Sequence, residues 1–136
     1  MLAVFGMNLL VACMTTPPTR SVFRTPGIGD AQWSRIADEC LYEAEKATAA
    51  ANPRTAVAYT RNRLFAMCAE LKGASFVGRV TMADEQWERL STRCKQEAAD
   101  GVSGLPASRS RDERKEDLEF ECFRRNGVHF RQSYYP

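Results

Sequence analysis

Cysteine is the residue type in this chain best placed to do chemistry. Five of them, Cys13, Cys40, Cys68, Cys94 and Cys122, stand in 136 residues beside a single histidine, His129. Thiols can cross-link, hold a metal or exchange electrons, and spacing separates these roles. Zinc and redox sites draw on close pairs such as C-x-x-C, whereas the last four cysteines are separated by 27, 25 and 27 residues. Neither a metal centre nor thiol redox catalysis is expected from them. A serine or cysteine nucleophile needs a base, and the lone histidine lies near a helix end with no matching partner, as an exposed bystander. The run Asp112-Glu113-Arg114-Lys115-Glu116-Asp117 mixes acids with bases as a solvated helix face does. A carboxylate pair for glycoside hydrolysis would need a pocket. Gly6, Gly27, Gly29, Gly101 and Gly104 form no phosphate cradle. No catalytic residue, cofactor site or small-molecule substrate is expected, and the chain reads as a non-enzyme.

The elements that must position the cysteines come from an internal repeat. Shifted by 54, Asp30, Gln32, Trp33, Arg35, Cys40, Glu43, Ala44, Leu64, Cys68, Gly73 and Phe76 fall on Asp84, Gln86, Trp87, Arg89, Cys94, Glu97, Ala98, Leu118, Cys122, Gly127 and Phe130. These eleven identities over 47 ungapped positions include both tryptophans and four cysteines, so the chain carries two copies of one supersecondary unit. Trp33, Ile36, Cys40, Ala44 and Ala47 recur at helical steps, as do Trp87, Leu90, Cys94 and Ala98. At helical spacing the two tryptophans read as core rather than as stacking platforms. Asn52-Pro53 breaks the first unit and Gly101-Val102-Ser103-Gly104-Leu105-Pro106 the second. Thr81 fits the N-cap of the third helix, with Asp84 and Glu85 in its first turn. Gly73 and Gly127 sit where a left-handed C-cap is expected. The predicted fold is therefore all-α, a tandem pair of helical hairpins with four helices in all.

An antiparallel hairpin turning near residue 54 places positions summing to about 108 side by side, and 40 with 68 satisfies this. Four cysteines allow three pairings; the repeat selects Cys40–Cys68 and Cys94–Cys122. A hairpin of this size buries little core, and a staple across it has a physical reason. The second hairpin is expected to need its longer loop to climb beside a shorter first helix. Cys13 is left alone.

Residues 1–12 carry no charge and one polar side chain, Asn8, too short a run to span a bilayer but the length of a signal-peptide apolar region. Leu10-Val11-Ala12-Cys13 resembles the lipobox of bacterial lipoproteins, although no Lys or Arg precedes the apolar run. That resemblance implies cleavage before Cys13, acylation of that residue and anchoring by more than one chain. It also implies a periplasm-facing place in the cell envelope, at the outer rather than the inner membrane of a Gram-negative host because Met14 follows the cysteine. Phe65-Ala66-Met67-Cys68-Ala69-Glu70-Leu71-Lys72-Gly73 resembles a helix end of small proteobacterial envelope proteins, which carries no activity with it.

The organisation expected is a signal peptide (1–12), a lipidated cysteine with a flexible tether (13–29), hairpin repeats at 30–78 and 79–130, and a loose tail (131–136). Residues 30–78 hold six bases and six acids and residues 79–136 eleven of each, so the net charge of +2 belongs to Arg20 and Arg24. Nothing resembles a nucleic-acid footprint. The two arginines are expected in the tether, with at most a weak attraction to lipid headgroups. Partners are then the membrane, through the anchor, and a protein of the envelope. The expected role is that of a binding or structural module. An inhibitor or adaptor of an envelope enzyme or secretion component is the alternative, ahead of a small enzyme or a metal-binding protein.

Overall fold

The structure, a computed structural model, describes residues 16–52 and 56–133. Cys13, the leader and the last three residues lie outside them. In chain order come strand β1 (Thr19–Arg24), helices α1 (Asp30–Thr48) and α2 (Val57–Leu71), strand β2 (Ser75–Thr81), and helices α3 (Asp84–Gly101) and α4 (Arg109–Arg125). The protein is mostly helical but not all-α, because β1 and β2 pair antiparallel.

The segment expected as a tether therefore contains a strand. Thr19-Arg20-Ser21-Val22-Phe23-Arg24 alternates in a way that two different surfaces can use. Val22 packs against the core of the second hairpin and Phe23 against that of the first. Successive side chains of a strand point to opposite faces, so the small sheet lies between the hairpins, one on each face. Thr25-Pro26-Gly27-Ile28 then turns the chain, with the Ile28 N–H donating to the Thr25 carbonyl at 3.0 Å and Gly27 at φ +73°. Proline at the second position and a positive-φ glycine at the third are what such a turn requires.

Strand β2 closes the first unit and opens the second, so the boundary drawn between residues 78 and 79 falls inside one strand. On its far side Arg79 and Arg131 exchange two backbone hydrogen bonds, and the Gln132 amide donates to the Val77 carbonyl. The start of the expected loose tail is thus bound to the sheet. A bulge between Val22/Phe23 and their partners places Val22 opposite Gly78 and Phe23 opposite Phe76, leaving Val77 as the extra residue. It lets both Val77 and Val80 meet the second core although they stand an odd number of residues apart.

Among the described residues the substantial helix packing lies within each hairpin, α1 on α2 and α3 on α4. Cys40 is bonded to Cys68 and Cys94 to Cys122, each pair with its Cα atoms 5.5 Å apart and 28 residues apart in sequence. Cys40, Cys94 and Cys122 are fully buried, at the centre of two cores rather than one. Both return helices end alike. Ala74 N–H donates to Ala69 C=O and Gly73 N–H to Glu70 C=O, and Val128 with Phe123 and Gly127 with Arg124 repeat the pattern. Positive φ at Gly73 and Gly127 permits this Schellman closure, and the next residue, Ala74 or Val128, is buried.

One local expectation is corrected. Thr81 does not cap α3: the N-cap position is Ala83, and the Thr81 hydroxyl instead bonds that of Thr19 at 2.7 Å, because Thr81 ends a strand. The shortening expected of α3 amounts to one residue, 18 against 19 for α1, and Val102, the counterpart of Thr48, is buried at its end.

Candidate functional site

Arg20 and Arg24, on the same face of β1, bind it to the second hairpin. The Arg20 guanidinium donates to Asp84 Oδ1 at 2.7 Å and to the Met82 carbonyl at 3.2 Å, and lies 5.3 Å from the Trp87 ring centre. Arg24 donates to Asp117 Oδ1 at 2.6 Å and Glu116 Oε2 at 3.2 Å, above the Phe120 ring. Burial opposes its charge, but the two carboxylates outweigh that and hold the guanidinium protonated above its ordinary range. Both arginines therefore bind β1 to the second hairpin, where a flexible tether was expected.

Beside β1 the hairpins leave a cleft of about 570 Å³. Its floor is β1 and the turn after it. One wall carries Trp33 of α1; the other carries Trp87, Ser91 and Lys95 of α3 with Asp112, Lys115, Glu116 and Glu119 of α4. The tryptophans are half-buried, each with one side in its hairpin's core: Trp33 rests 5.4 Å from Phe23, and Trp87 stacks 5.1 Å from Phe123. Reading them as core is correct but incomplete, because both also line the cleft. A larger hollow, about 920 Å³, runs along Glu85–Asp100, but α3 alone bounds it, with no opposing wall.

The floor of the cleft is a strand edge. Arg79 gives its N–H and C=O to Arg131, away from β1, so Ser21, its partner on β1, turns its own backbone groups away from β2. By the same alternation Thr19 and Phe23 do so too. The Thr25 N–H, next in the series, donates to Glu116 Oε1 at 2.6 Å, so α4 closes this end of the edge. Among the described residues no backbone group bonds the outward side of Thr19, Ser21 or Phe23.

Glu119 is the singular group of the wall. Its carboxyl is held above the usual carboxylate range chiefly by burial, with nearby Glu116 and Asp30 adding to this while Lys95 and Lys115 oppose it. No hydrogen bond or ion pair to it occurs among the described residues. Its counterpart in the first repeat is Phe65, whose ring packs 5.6 Å from Phe23.

Comparison with family models, curated proteins and solved structures finds no match to this chain.

Of the residues singled out in the sequence, the structure places Cys40, Cys68, Cys94 and Cys122 in the two cores, outside the cleft. Joined as disulfides, none of the four is a thiolate. His129 is exposed and does not line the cleft. Cys13 lies outside the described residues. Sequence reasoning missed β1 and Glu119. The signal for β1 was its alternation between Pro17-Pro18 and Pro26-Gly27. For Glu119 it was a carboxylate standing where the other copy has phenylalanine.

Proposed function

We propose that this chain is an exported, lipid-anchored, non-enzymatic binding module of the bacterial envelope, held to the membrane through Cys13 and presenting the cleft between its hairpins. The observation that carries this reading is the partition of its cysteines. Four are consumed, one pair in each hairpin, and each pair joins a core, with Cys68 partly buried and the other three fully so. Disulfides of this kind belong to an oxidising compartment, and Cys13 is left alone behind an uncharged apolar run, as the lipobox resemblance requires.

The cleft that would do the binding brings lysines and carboxylates together with two tryptophans. Five residues separate Cys13 from Thr19, so an acylated Cys13 would hold β1 and the cleft close to the membrane surface. Growth of a bacterium expressing the full chain with labelled palmitate tests the anchor. Label is expected on the protein and lost in Cys13→Ser; label retained by that variant would overturn the reading.

A further inference from the structure

We propose that the cleft is a strand-addition site, in which an extended peptide with a basic side chain pairs with the outer edge of β1 and presents that side chain to Glu119. The inference deepens the binding-module reading and rests on it. Three independent observations converge. The edge at Ser21 and Phe23 offers paired N–H and C=O groups to the cleft, and such an edge is a template for another strand. The cleft has walls on both sides of that edge, so an added strand would continue the layer of the sheet, with side chains facing Trp33 and Glu119 in alternation. From Thr19 to Phe23 the open edge is about 13 Å long, stopped at one end by Glu116 on the Thr25 N–H.

The basic side chain follows from charge. Within the lining, Arg20 is paired with Asp84 and Glu116 with Arg24. Glu119 is a partly buried carboxylate that, like Asp112, meets no donor among the described residues, and burial holds its carboxyl above the usual range. Lys95 and Lys115 approach it closely enough to favour its charge but make no ion pair with it, and both are exposed. A desolvated carboxylate without a donor is costly, and a charge-assisted hydrogen bond from an incoming arginine or lysine relieves it. The duplication sharpens this. The first hairpin carries Phe65, Leu41 and Ala37 where the second has Glu119, Lys95 and Ser91. The two copies share their stapled cores and differ on the wall that faces the cleft.

The test uses the full-length oxidised protein in detergent and an array of peptides of about eight residues, enough to span a strand. Valine, isoleucine or phenylalanine alternates in them with arginine, lysine, glutamine or glutamate. Matching peptides are N-methylated along one edge. Arginine and lysine peptides are expected to bind and to shift tryptophan emission, since both tryptophans line the cleft. N-methylation on the edge meeting β1 should weaken binding about tenfold or more, by removing several hydrogen bonds. Ser21→Pro should do the same, because the N–H it removes faces outward and spares the β1–β2 ladder; its fold is checked by helical circular dichroism and both disulfides. If that variant fails to fold, the N-methylated peptides on the unaltered protein decide alone. Glu119→Gln should abolish the preference for arginine over glutamine while peptides still bind.

Equal binding of N-methylated peptides, retention of glutamate peptides as well as arginine ones, or no binding across the array would each overturn the proposal. So would a dimer that Ser21→Pro dissociates, which assigns the edge to a second copy of this chain. These outcomes leave palmitate labelling untouched, so failure of the slot and failure of the anchor are told apart.

Discussion

Glu119 shows how one residue sets the character of a surface. In the first repeat its position holds Phe65, an aromatic ring packed against Phe23; in the second it holds a carboxyl that burial holds above the ordinary carboxylate range. A carboxyl with a raised pKa favours the folded state in its protonated form. Between the ordinary carboxylate pKa and the raised one, the folded chain binds a proton that the unfolded chain has lost, so stability falls as pH rises through that window. Glu119→Gln should remove this dependence. Melting temperatures of the two proteins should be close at pH 4 and diverge by pH 8, with the glutamine variant the more stable; equal curves at both values would show that the carboxyl carries no such cost. The sequence did not single out Glu119, since the wall that desolvates it includes elements distant in the chain.

At the scale of elements, the strand pair decides how the duplicated hairpins are held. Gly78 sits opposite Val22 at the bulge, and a Cβ there would lie 2.8 Å from Phe130 Cβ and 3.0 Å from the Arg131 carbonyl oxygen. Both neighbours belong to the segment that bridges to β2, and neither can swing aside as the tip of a long side chain could. Gly78→Ala should cost about 1 to 3 kcal/mol as an overpacking substitution, read as a lower urea midpoint, and should speed hydrogen exchange at Arg79 and Arg131. Gly104→Ala, where nothing lies within 4 Å, provides the contrast and should be nearly neutral. The helices themselves were legible because their apolar positions recur at steps of three and four. β1 was not, because six residues rich in polar side chains look the same in a tether and in an edge strand until a partner strand is known.

For the whole molecule, two cores joined by a small sheet imply two staples of nearly equal worth. Each disulfide spans 28 residues of sequence, and closing a loop of that length stabilises by about 3 to 4 kcal/mol in the chain-entropy model. Each core has only a handful of buried residues, so losing one staple should unfold its own hairpin first. Replacing Cys40 and Cys68 together by serine should produce early loss of protection in α1 and α2, with α3 and α4 more persistent, and the reciprocal variant should reverse the order. Simultaneous loss across all four helices in both variants would instead mean that the sheet couples the hairpins into one cooperative unit.

Taken alone, the sequence determined the local and the repeated: helices from apolar spacing, glycine caps from the turns they must make, and the cysteine partners from the symmetry of a 54-residue shift. Each of these depends on residues close along the chain or on a copy of the same pattern, so one dimension suffices. Tertiary structure decided what depends on neighbours remote in the chain. It took Arg20 and Arg24 out of a supposed tether and set them against Asp84, Glu116 and Asp117. It gave Trp33 and Trp87 a second surface, and it placed a partly buried carboxyl beside an open strand edge. Strand pairing and desolvation are properties of the assembled walls, and no single element carries them.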